Sequence, residues 1–192
     1  MKKLGIFGGT FNPIHHGHLI IAELTKQYLK LDRILFIPSV RPPHKTPEAI
    51  ISFDHRAAMV RSAIAGNDPF TFNDIEKAFN LSYTVDTMAK LKEQFADAEF
   101  YLIIGSDSFL ALDTWKAPEQ LIRQAKLAVF PRANFDASRA ERKFLDRAVI
   151  LPMPVVEISS SWVRARIKKG QSIRYLVPAE VETYIGENKL YI

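Results

Sequence analysis

Short β-rich runs alternate with helical patterns along the whole chain of 192 residues. The strand-like runs are residues 3–7, 33–38, 70–73, 100–104, 127–130 and 149–151. The helical patterns are residues 17–30, 53–65, 84–95, 138–146, 160–168 and 178–187. This alternation predicts an α/β protein with a doubly wound parallel sheet, whose ligands bind at the carboxyl ends of the strands. Because the sequence shows no repeat, linker or low-complexity segment, we expect a single domain over residues 1–192.

Composition limits the classes of protein that this chain can represent. Hydrophobic residues make up 47% and charged residues 24%, which is typical of a folded globular protein. The chain has no cysteine, which excludes disulfides and thiolate zinc sites and agrees with a cytoplasmic location. No apolar run approaches the roughly 20 residues of a membrane helix, so we expect no membrane partner. The net charge of +5 favours anionic ligands, although the basic residues are scattered.

The segment that follows the first predicted strand, GGTFNPIHHGHL, has the pattern of a phosphate site. Gly8 and Gly9 form a turn whose backbone amides can approach a ligand closely, because glycine has no Cβ. His15 and His18 stand three residues apart at the start of a helix, on one face, where the amides of the helix are unpaired. Two imidazoles there can donate hydrogen bonds to phosphate oxygens and stabilise charge in a transition state. Gly17, between them, keeps the backbone clear for a nucleotide.

Two other interpretations of the same histidines stay open at this point. A single histidine at a helix start is most often a solvated or capping residue, and we interpret His16 as an outward-facing position of that kind. His15 and His18 could also be ligands of a metal ion. No third histidine, cysteine or nearby carboxylate completes such a set, so the sequence predicts no protein-bound metal.

A second helix start, within ISSSWVRARI, predicts the opposite wall of the same site. Ser159, Ser160 and Ser161 precede the helix, and serine is a favoured N-cap. Arg164 shares a helix face with Ser160 and Ser161, where a guanidinium could neutralise the phosphates of a nucleotide and a departing pyrophosphate. The alternative is an ordinary serine-capped surface helix with solvated arginines.

These motifs resemble the nicotinate mononucleotide adenylyltransferases of the nucleotidyltransferase superfamily with the HxGH signature. The signature is present as His15-His16-Gly17-His18, and the serine-arginine segment is similar to the family's I-S-S-[ST]-x-[IV]-R element. The segments PPHK at 42–45, SYTVDT at 82–87 and IGSD at 104–107, followed by Trp115, also resemble family elements. The resemblance spans nearly the whole chain and implies a Rossmann-like nucleotidyltransferase fold.

The resemblance also implies the roles of individual residues. His15, His18 and Arg164 are the expected catalytic residues. Those expected to bind ATP are Gly8, Gly9, Thr10, Phe11, Gly17, Gly105, Asp107, Ile158, Ser159, Ser160 and Ser161. Those expected to bind the mononucleotide are Asn12, His44, Lys45, Tyr83, Thr84, Ser106, Trp115 and Arg132.

Elementary chemistry agrees with several of these assignments. Gly105 ends the strongest predicted strand and permits close approach of a ligand, and Asp107 can accept hydrogen bonds from a ribose hydroxyl or an amide. The indole of Trp115 offers a flat face to a pyridine ring, although a core tryptophan is the alternative. In two places the chain departs from the family pattern. Asn12 stands where aspartate is common, and Arg132 lacks the Pro-Gly that usually follows it.

The implied reaction joins the AMP of ATP to nicotinate mononucleotide, giving deamido-NAD and pyrophosphate. We expect Mg²⁺ to enter with the phosphates of ATP rather than in a protein cage. The close alternatives are a nicotinamide mononucleotide or phosphopantetheine adenylyltransferase, or a cytidylyltransferase. A non-catalytic nucleotide- or RNA-binding module is the alternative of another class, although we expect no nucleic-acid partner. The sequence does not distinguish a monomer from a homo-oligomer.

Overall fold

All six strands of the computed structural model, which describes residues 1–42 and 50–192, run parallel in one sheet. The strands are β1 (Lys2–Gly9), β2 (Arg33–Pro38), β3 (Phe70–Phe72), β4 (Ala98–Gly105), β5 (Lys126–Phe130) and β6 (Ala148–Ile150). Their order across the sheet is β3-β2-β1-β4-β5-β6. This is the order of doubly wound nucleotide-binding folds, and it confirms the fold class predicted from the alternating pattern.

Helices cover both faces of the sheet. They are α1 (His16–Leu29), α2 (Phe53–Ile64), α3 (Thr84–Gln94), α4 (Ser106–Leu110), α5 (Pro118–Gln124), α6 (Arg142–Leu145), α7 (Ser160–Lys168) and α8 (Ala179–Glu187). Short 3₁₀ helices lie at Ile75–Ala78, Leu112–Thr114 and Ala137–Arg139.

Each face of the sheet buries its own hydrophobic core. Alternate side chains of β4 point to opposite faces, so Ile103 packs into one core and Leu102 into the other. The first core receives α1, α2, α7 and α8, for example through the buried Val163. The second receives α3 to α6, for example through Met88. The strands therefore read as continuous apolar runs, as expected for a parallel sheet covered on both sides.

The predicted helix over residues 138–146 is wrong. The chain forms a 3₁₀ turn at Ala137–Arg139, which begins where the Asp136 carboxylate accepts a hydrogen bond from the Ser138 backbone, and then the single-turn helix α6. Phe144 is the buried residue of α6, so this stretch lacks the apolar face that would stabilise a longer helix. The short helices α4 and α5 were not predicted, because one or two turns give too little periodicity to recognise.

One large side chain of α1 lies on the surface. Ile21 is buried, whereas Tyr28, two turns further along the helix, is 48% exposed. Its hydroxyl donates to the carbonyl of Pro152 at 2.9 Å, so its ring lies along the surface rather than in the core.

Candidate active site

The candidate site lies where the strand order reverses, at the carboxyl ends of β1 and β4. The chain leaves β1 toward β2 on one side, whereas β4 pairs with β1 on the other, and this divergence opens a crevice at the edge of the sheet. The segment after β1 and the start of α1 form one wall of this crevice. The predicted first motif therefore lies at the position that the fold reserves for a ligand.

Phe11 shapes the turn between β1 and α1. Its backbone lies in the left-handed region with φ 46°, and its ring is buried in edge-on contact with Phe7 and His18, with centroids 5.8 and 5.0 Å away. The ring is thus part of the core. Any contact between Phe11 and ATP would have to come from its backbone.

His15 and His18 stack against each other at the start of α1. Their ring centroids are 3.7 Å apart and the ring planes differ by 28°. The backbone N–H of His15 donates to Nδ1 of His18 at 3.2 Å. Since Nδ1 of His18 is an acceptor here, the neutral ring carries its proton on Nε2, the nitrogen on the far side of the ring. This hydrogen bond fixes the tautomer that can donate to a phosphate oxygen.

His15 is a neutral imidazole at physiological pH. Burial, together with the positive charges of Arg132 and His16, lowers the pKa of His15 from 6.5 to about 3. A neutral ring can still donate one hydrogen bond to a phosphate oxygen, but it brings no charge of its own. Among the side chains near His15, the guanidinium groups are the ones that bring positive charge for a polyphosphate.

The second predicted motif folds directly against the first. The hydroxyl of Ser160 donates to the carbonyl of Pro13 at 2.8 Å, and Nη1 of Arg164 donates to the carbonyl of Asn12 at 2.7 Å. Ser159 caps α7 by accepting from the Trp162 backbone at 3.2 Å, and its hydroxyl lies 3.1 Å from that of Ser161. The helix starts of α1 and α7 therefore lie side by side. The first amides of α1 are already paired, since those of His16 and His18 donate to the carbonyls of Leu176 and His15.

Packing is tight around two glycines of this site. A Cβ on Gly17 would meet the His15 ring at 3.0 Å and the carbonyl of Ile158 at 3.3 Å. A Cβ on Gly105 would overlap Asp107 and meet the Phe130 ring at 3.2 Å. Gly17 was predicted to make room for a nucleotide, and the structure shows that it also lets α1 pack against the segment before α7.

A cavity of about 350 Å³ adjoins the first motif and reaches across the ends of β1, β2 and β4. Six of the predicted site residues line it, namely Gly8, Gly9, Thr10, Tyr83, Thr84 and Trp115. Its volume lies in the usual range for a small-molecule pocket. The half-buried Trp115 packs against the second core and also lines the cavity, where its indole is available to stack on a ligand.

The polar side chains that line this cavity without having been predicted as site residues include Ser39, Glu76 and Lys116. Glu76 is buried, which raises its pKa, and it accepts hydrogen bonds from the Thr87 hydroxyl at 3.0 Å and the Val40 amide at 3.4 Å. The hydroxyl of Ser39 is buried without a hydrogen-bond partner among the described residues. No local pattern marks these residues, since each belongs to a different segment.

Lys116 lies at the rim of the cavity, next to Trp115. Its ammonium pairs with the Asp86 carboxylate at 2.7 Å and lies 4.6 Å from the centre of the Tyr83 ring. The cation is therefore held over the loop that carries Tyr83 and Thr84. Asp86 offsets its charge in the absence of a ligand.

Arg56, which the sequence did not mark as a site residue, is buried beside the cavity and hydrogen-bonds the backbone of residues that line it. The side chain is 1% exposed and donates to the carbonyls of Thr10 at 2.8 Å and Ser39 at 2.7 Å. Burial lowers its pKa, although a guanidinium stays protonated. The ends of β1 and β2 are thereby tied together at the point where both meet the cavity.

Several predicted site residues use their polar groups within the protein. Ser106 is buried, and its hydroxyl accepts from the Arg132 amide at 2.9 Å. Arg132 donates to the carbonyl of Val156 at 3.2 Å. Its positive charge lowers the pKa of His15, which places Arg132 on the side of the site that carries the stacked histidines. The side-chain oxygen of Asn12 accepts from the Tyr191 hydroxyl at 2.8 Å.

The remaining predicted residues have simple placements. Asp107 is exposed in the first turn of α4. His44 and Lys45 lie outside the residues that the structure describes.

Within residues 1–42 and 50–192, no three histidine, cysteine, aspartate or glutamate side chains are grouped closely enough to hold a metal ion. Over the same residues, no helix has the length and apolar character needed to cross a membrane.

Comparisons with known proteins agree with this geometry. A family model described as cytidylyltransferase-like matches residues 6–166. A probable nicotinate-nucleotide adenylyltransferase of Thermomicrobium roseum is 40% identical over 100% of this chain and 92% of its own length. Another, from a Synechococcus strain, is 42% identical over 100% of this chain and 95% of its own length. The structure of Plasmodium falciparum nicotinic acid mononucleotide adenylyltransferase complexed with NaAD is similar in fold, with a TM-score of 0.84 at 21% identity over 100% of this chain and 98% of that one.

Proposed function

Since this chain belongs to the cytidylyltransferase-like family, and within it to the nicotinate-nucleotide adenylyltransferases, we propose that it transfers the adenylyl group of ATP to nicotinate mononucleotide. The products are deamido-NAD and pyrophosphate, in a step of NAD synthesis. The observation that carries the proposal is the junction of two phosphate-binding motifs beside a cavity with an aromatic wall. The two adjoining motifs can hold the triphosphate of ATP, and the cavity can hold the acceptor.

The reaction needs no nucleophile from the protein. The second pKa of a phosphate monoester is about 6, so the acceptor phosphate is largely a dianion at neutral pH. One of its oxygens attacks the α-phosphorus of ATP and forms a P–O bond, while the bond from the α-phosphorus to the bridging oxygen breaks and pyrophosphate leaves. No proton has to be removed. The protein therefore has to hold the two phosphates in line and stabilise the charge between them.

The residues of the phosphate side suit that task. Nε2–H of His18 donates to an oxygen on the α-phosphate as its charge grows. Arg164 is anchored by Asn12 through one nitrogen, and its other N–H groups are directed to the β- and γ-phosphates and the leaving pyrophosphate. Neutral His15 supports the stacked ring of His18 and supplies a second donor.

Magnesium fits this site as an ion carried by the substrate. The side chains brought together here are imidazoles, hydroxyls and guanidinium groups, which are donors to phosphate rather than ligands of Mg²⁺. Bound through phosphate oxygens and water, Mg²⁺ would neutralise part of the charge on ATP and on pyrophosphate.

The acceptor side suits a pyridine mononucleotide. The indole of Trp115 and the backbone of Tyr83 and Thr84 bound a cavity whose rim carries the Lys116 cation. We propose that the pyridine ring lies against Trp115 and that the ribose phosphate extends toward Gly9 and Thr10, where it meets ATP. The carboxylate of nicotinate, in place of the amide of nicotinamide, matches the positive charge of Lys116.

A pyrophosphate-release assay with purified protein, ATP, Mg²⁺ and nicotinate mononucleotide tests the proposal, with deamido-NAD identified by mass spectrometry. We expect one pyrophosphate for each deamido-NAD formed, and no release when the mononucleotide is omitted. A protein that binds RNA in a salt-dependent manner and releases no pyrophosphate would instead be the non-catalytic module.

A further inference from the structure

We propose that Tyr191 is a positioning residue for the turn between β1 and α1, residues 10–15, which we call the catalytic turn. Its hydroxyl donates to the side-chain oxygen of Asn12 at 2.8 Å, across 179 residues of sequence. Asn12 lies in the turn between β1 and α1, three residues before His15. The C-terminal segment thus reaches back to the element that carries the histidines.

Asn12 links Tyr191 to Arg164. The side-chain carbonyl of Asn12 accepts from the phenol, while its main-chain carbonyl accepts from Nη1 of Arg164 at 2.7 Å. The hydrogen bond from Tyr191 restricts the conformation of Asn12 and so orients its main-chain carbonyl. Because Arg164 donates to that carbonyl, the orientation of the carbonyl also positions the guanidinium.

The surroundings of Tyr191 keep the phenol in the form that donates. Burial raises the pKa of Tyr191, although the charges of Arg164 and Arg56 act in the opposite direction, so the hydroxyl keeps its proton at physiological pH. Both guanidinium groups also contact the turn between β1 and α1. Arg56 holds the carbonyl of Thr10, and Arg164 holds that of Asn12.

The backbone at the chain end is specifically bent to deliver this ring. Tyr191 has φ 66°, in the left-handed region that non-glycine residues seldom occupy. The preceding residue, Leu190, is buried in the core, and its amide donates to the carbonyl of Ile185 at 3.0 Å. Leu190 anchors the segment, so the phenol of Tyr191 can act as a fixed contact rather than a mobile tail.

The test compares Tyr191→Phe with Tyr184→Phe, a matched control. Tyr184 lies on α8, and its hydroxyl bonds to Nδ1 of His55 at 3.0 Å, away from the catalytic turn. Each variant loses one phenolic oxygen. The inference rests on the proposed role of Arg164, so we expect Tyr191→Phe to lower kcat about 10-fold, with KM for nicotinate mononucleotide within about twofold of wild type. Tyr184→Phe should keep kcat within about twofold.

The Arg164→Lys background separates positioning from general structural damage. Lysine cannot reproduce the geometry of the guanidinium, so the contact through Asn12 is already lost in that background. We expect Tyr191→Phe to cause no further loss of kcat in Arg164→Lys, which is a non-additive cycle. Equal losses in the two backgrounds, or equal effects of the two tyrosine variants, would overturn the inference. A wild-type protein that forms no deamido-NAD in the same series would instead refute the proposed function.

Discussion

The two halves of the candidate site are built in different ways. On the phosphate side, the starts of α1 and α7 are joined by direct hydrogen bonds from Ser160 and Arg164 to the turn after β1. On the acceptor side, the cavity is enclosed by single residues from many segments, and its charged groups pair with each other, as Lys116 does with Asp86. Under the proposed function, the first half stabilises the transition state and the second selects the acceptor. Substitutions should therefore affect kcat on one side and KM for the acceptor on the other.

The largest effect is expected from His18→Ala. Removing a donor that acts on charge growing in the transition state lowers kcat by about 100- to 1,000-fold. His16→Ala is the control, since His16 is the neighbouring, half-exposed histidine of the same segment. Steady-state kinetics combined with thermal melting measure the effect. A kcat near that of wild type, in a folded protein, would remove His18 from the mechanism.

On the acceptor side, Trp115→Ala should raise KM for the mononucleotide about 10-fold, since stacking of a base on an aromatic ring contributes about 1–3 kcal/mol. The KM for ATP should change little. Trp162→Ala is the matched control, because Trp162 is 46% exposed on α7, with Arg166 packed on its outer face. An equal rise in both KM values would show that Trp115 supports the fold rather than the acceptor.

Lys116→Met should have a smaller effect, which depends on the charge of the acceptor. We expect KM for nicotinate mononucleotide to rise about 3- to 5-fold, which corresponds to about 1 kcal/mol at an exposed site, and KM for the nicotinamide form to stay nearly constant. Lys126→Met is the control, because Lys126 lies at the amino end of β5, whereas the crevice lies at the carboxyl ends of the strands, and it pairs with Glu99. Equal changes for both mononucleotides would show that Lys116 does not distinguish the carboxylate from the amide.

An effect on stability, separate from the kinetic effects above, is expected at acid pH. His15 titrates at about 3 in the folded protein and near 6.5 when exposed, so the unfolded chain binds one more proton between these values. Stability due to neutral His15 is therefore fully present above pH 6.5 and is lost as the pH falls, by up to about 1.4 kcal/mol per pH unit. Denaturant titrations from pH 7 to pH 4 should show a shallower loss in His15→Asn than in wild type. Parallel curves would mean that His15 is not buried as a neutral ring.

Sequence patterns revealed the phosphate side because its groups lie within one helical turn of each other. His15 and His18, or Ser160 and Arg164, share a helix face as soon as the helix is recognised, and no tertiary information is needed. The four inner strands were predictable for a similar reason, since a strand buried on both faces is a continuous apolar run. The edge strands β3 and β6 are three residues long and only partly buried. The one-turn helices near residues 106–110 and 142–145 offered no such period.

The acceptor side was only partly predictable, because the environment of each residue is set by other segments. Trp115 was predicted because the segment IGSD at 104–107, followed by this tryptophan, resembles a family element. Glu76, Ser39 and Arg56 looked like ordinary residues in sequence, and their roles come from burial against chain segments far away. Tyr191 is the extreme case, since its partner Asn12 lies at the other end of the chain.

The most direct test of the account is a comparison of acceptors under one set of conditions. Pyrophosphate release would be measured with nicotinate mononucleotide, nicotinamide mononucleotide and phosphopantetheine, each with ATP and Mg²⁺. The account predicts the highest kcat/KM for nicotinate mononucleotide, a lower value for the nicotinamide form and no turnover of phosphopantetheine. Preferential turnover of phosphopantetheine would contradict it, because the Trp115 cavity would then not be a pyridine nucleotide site.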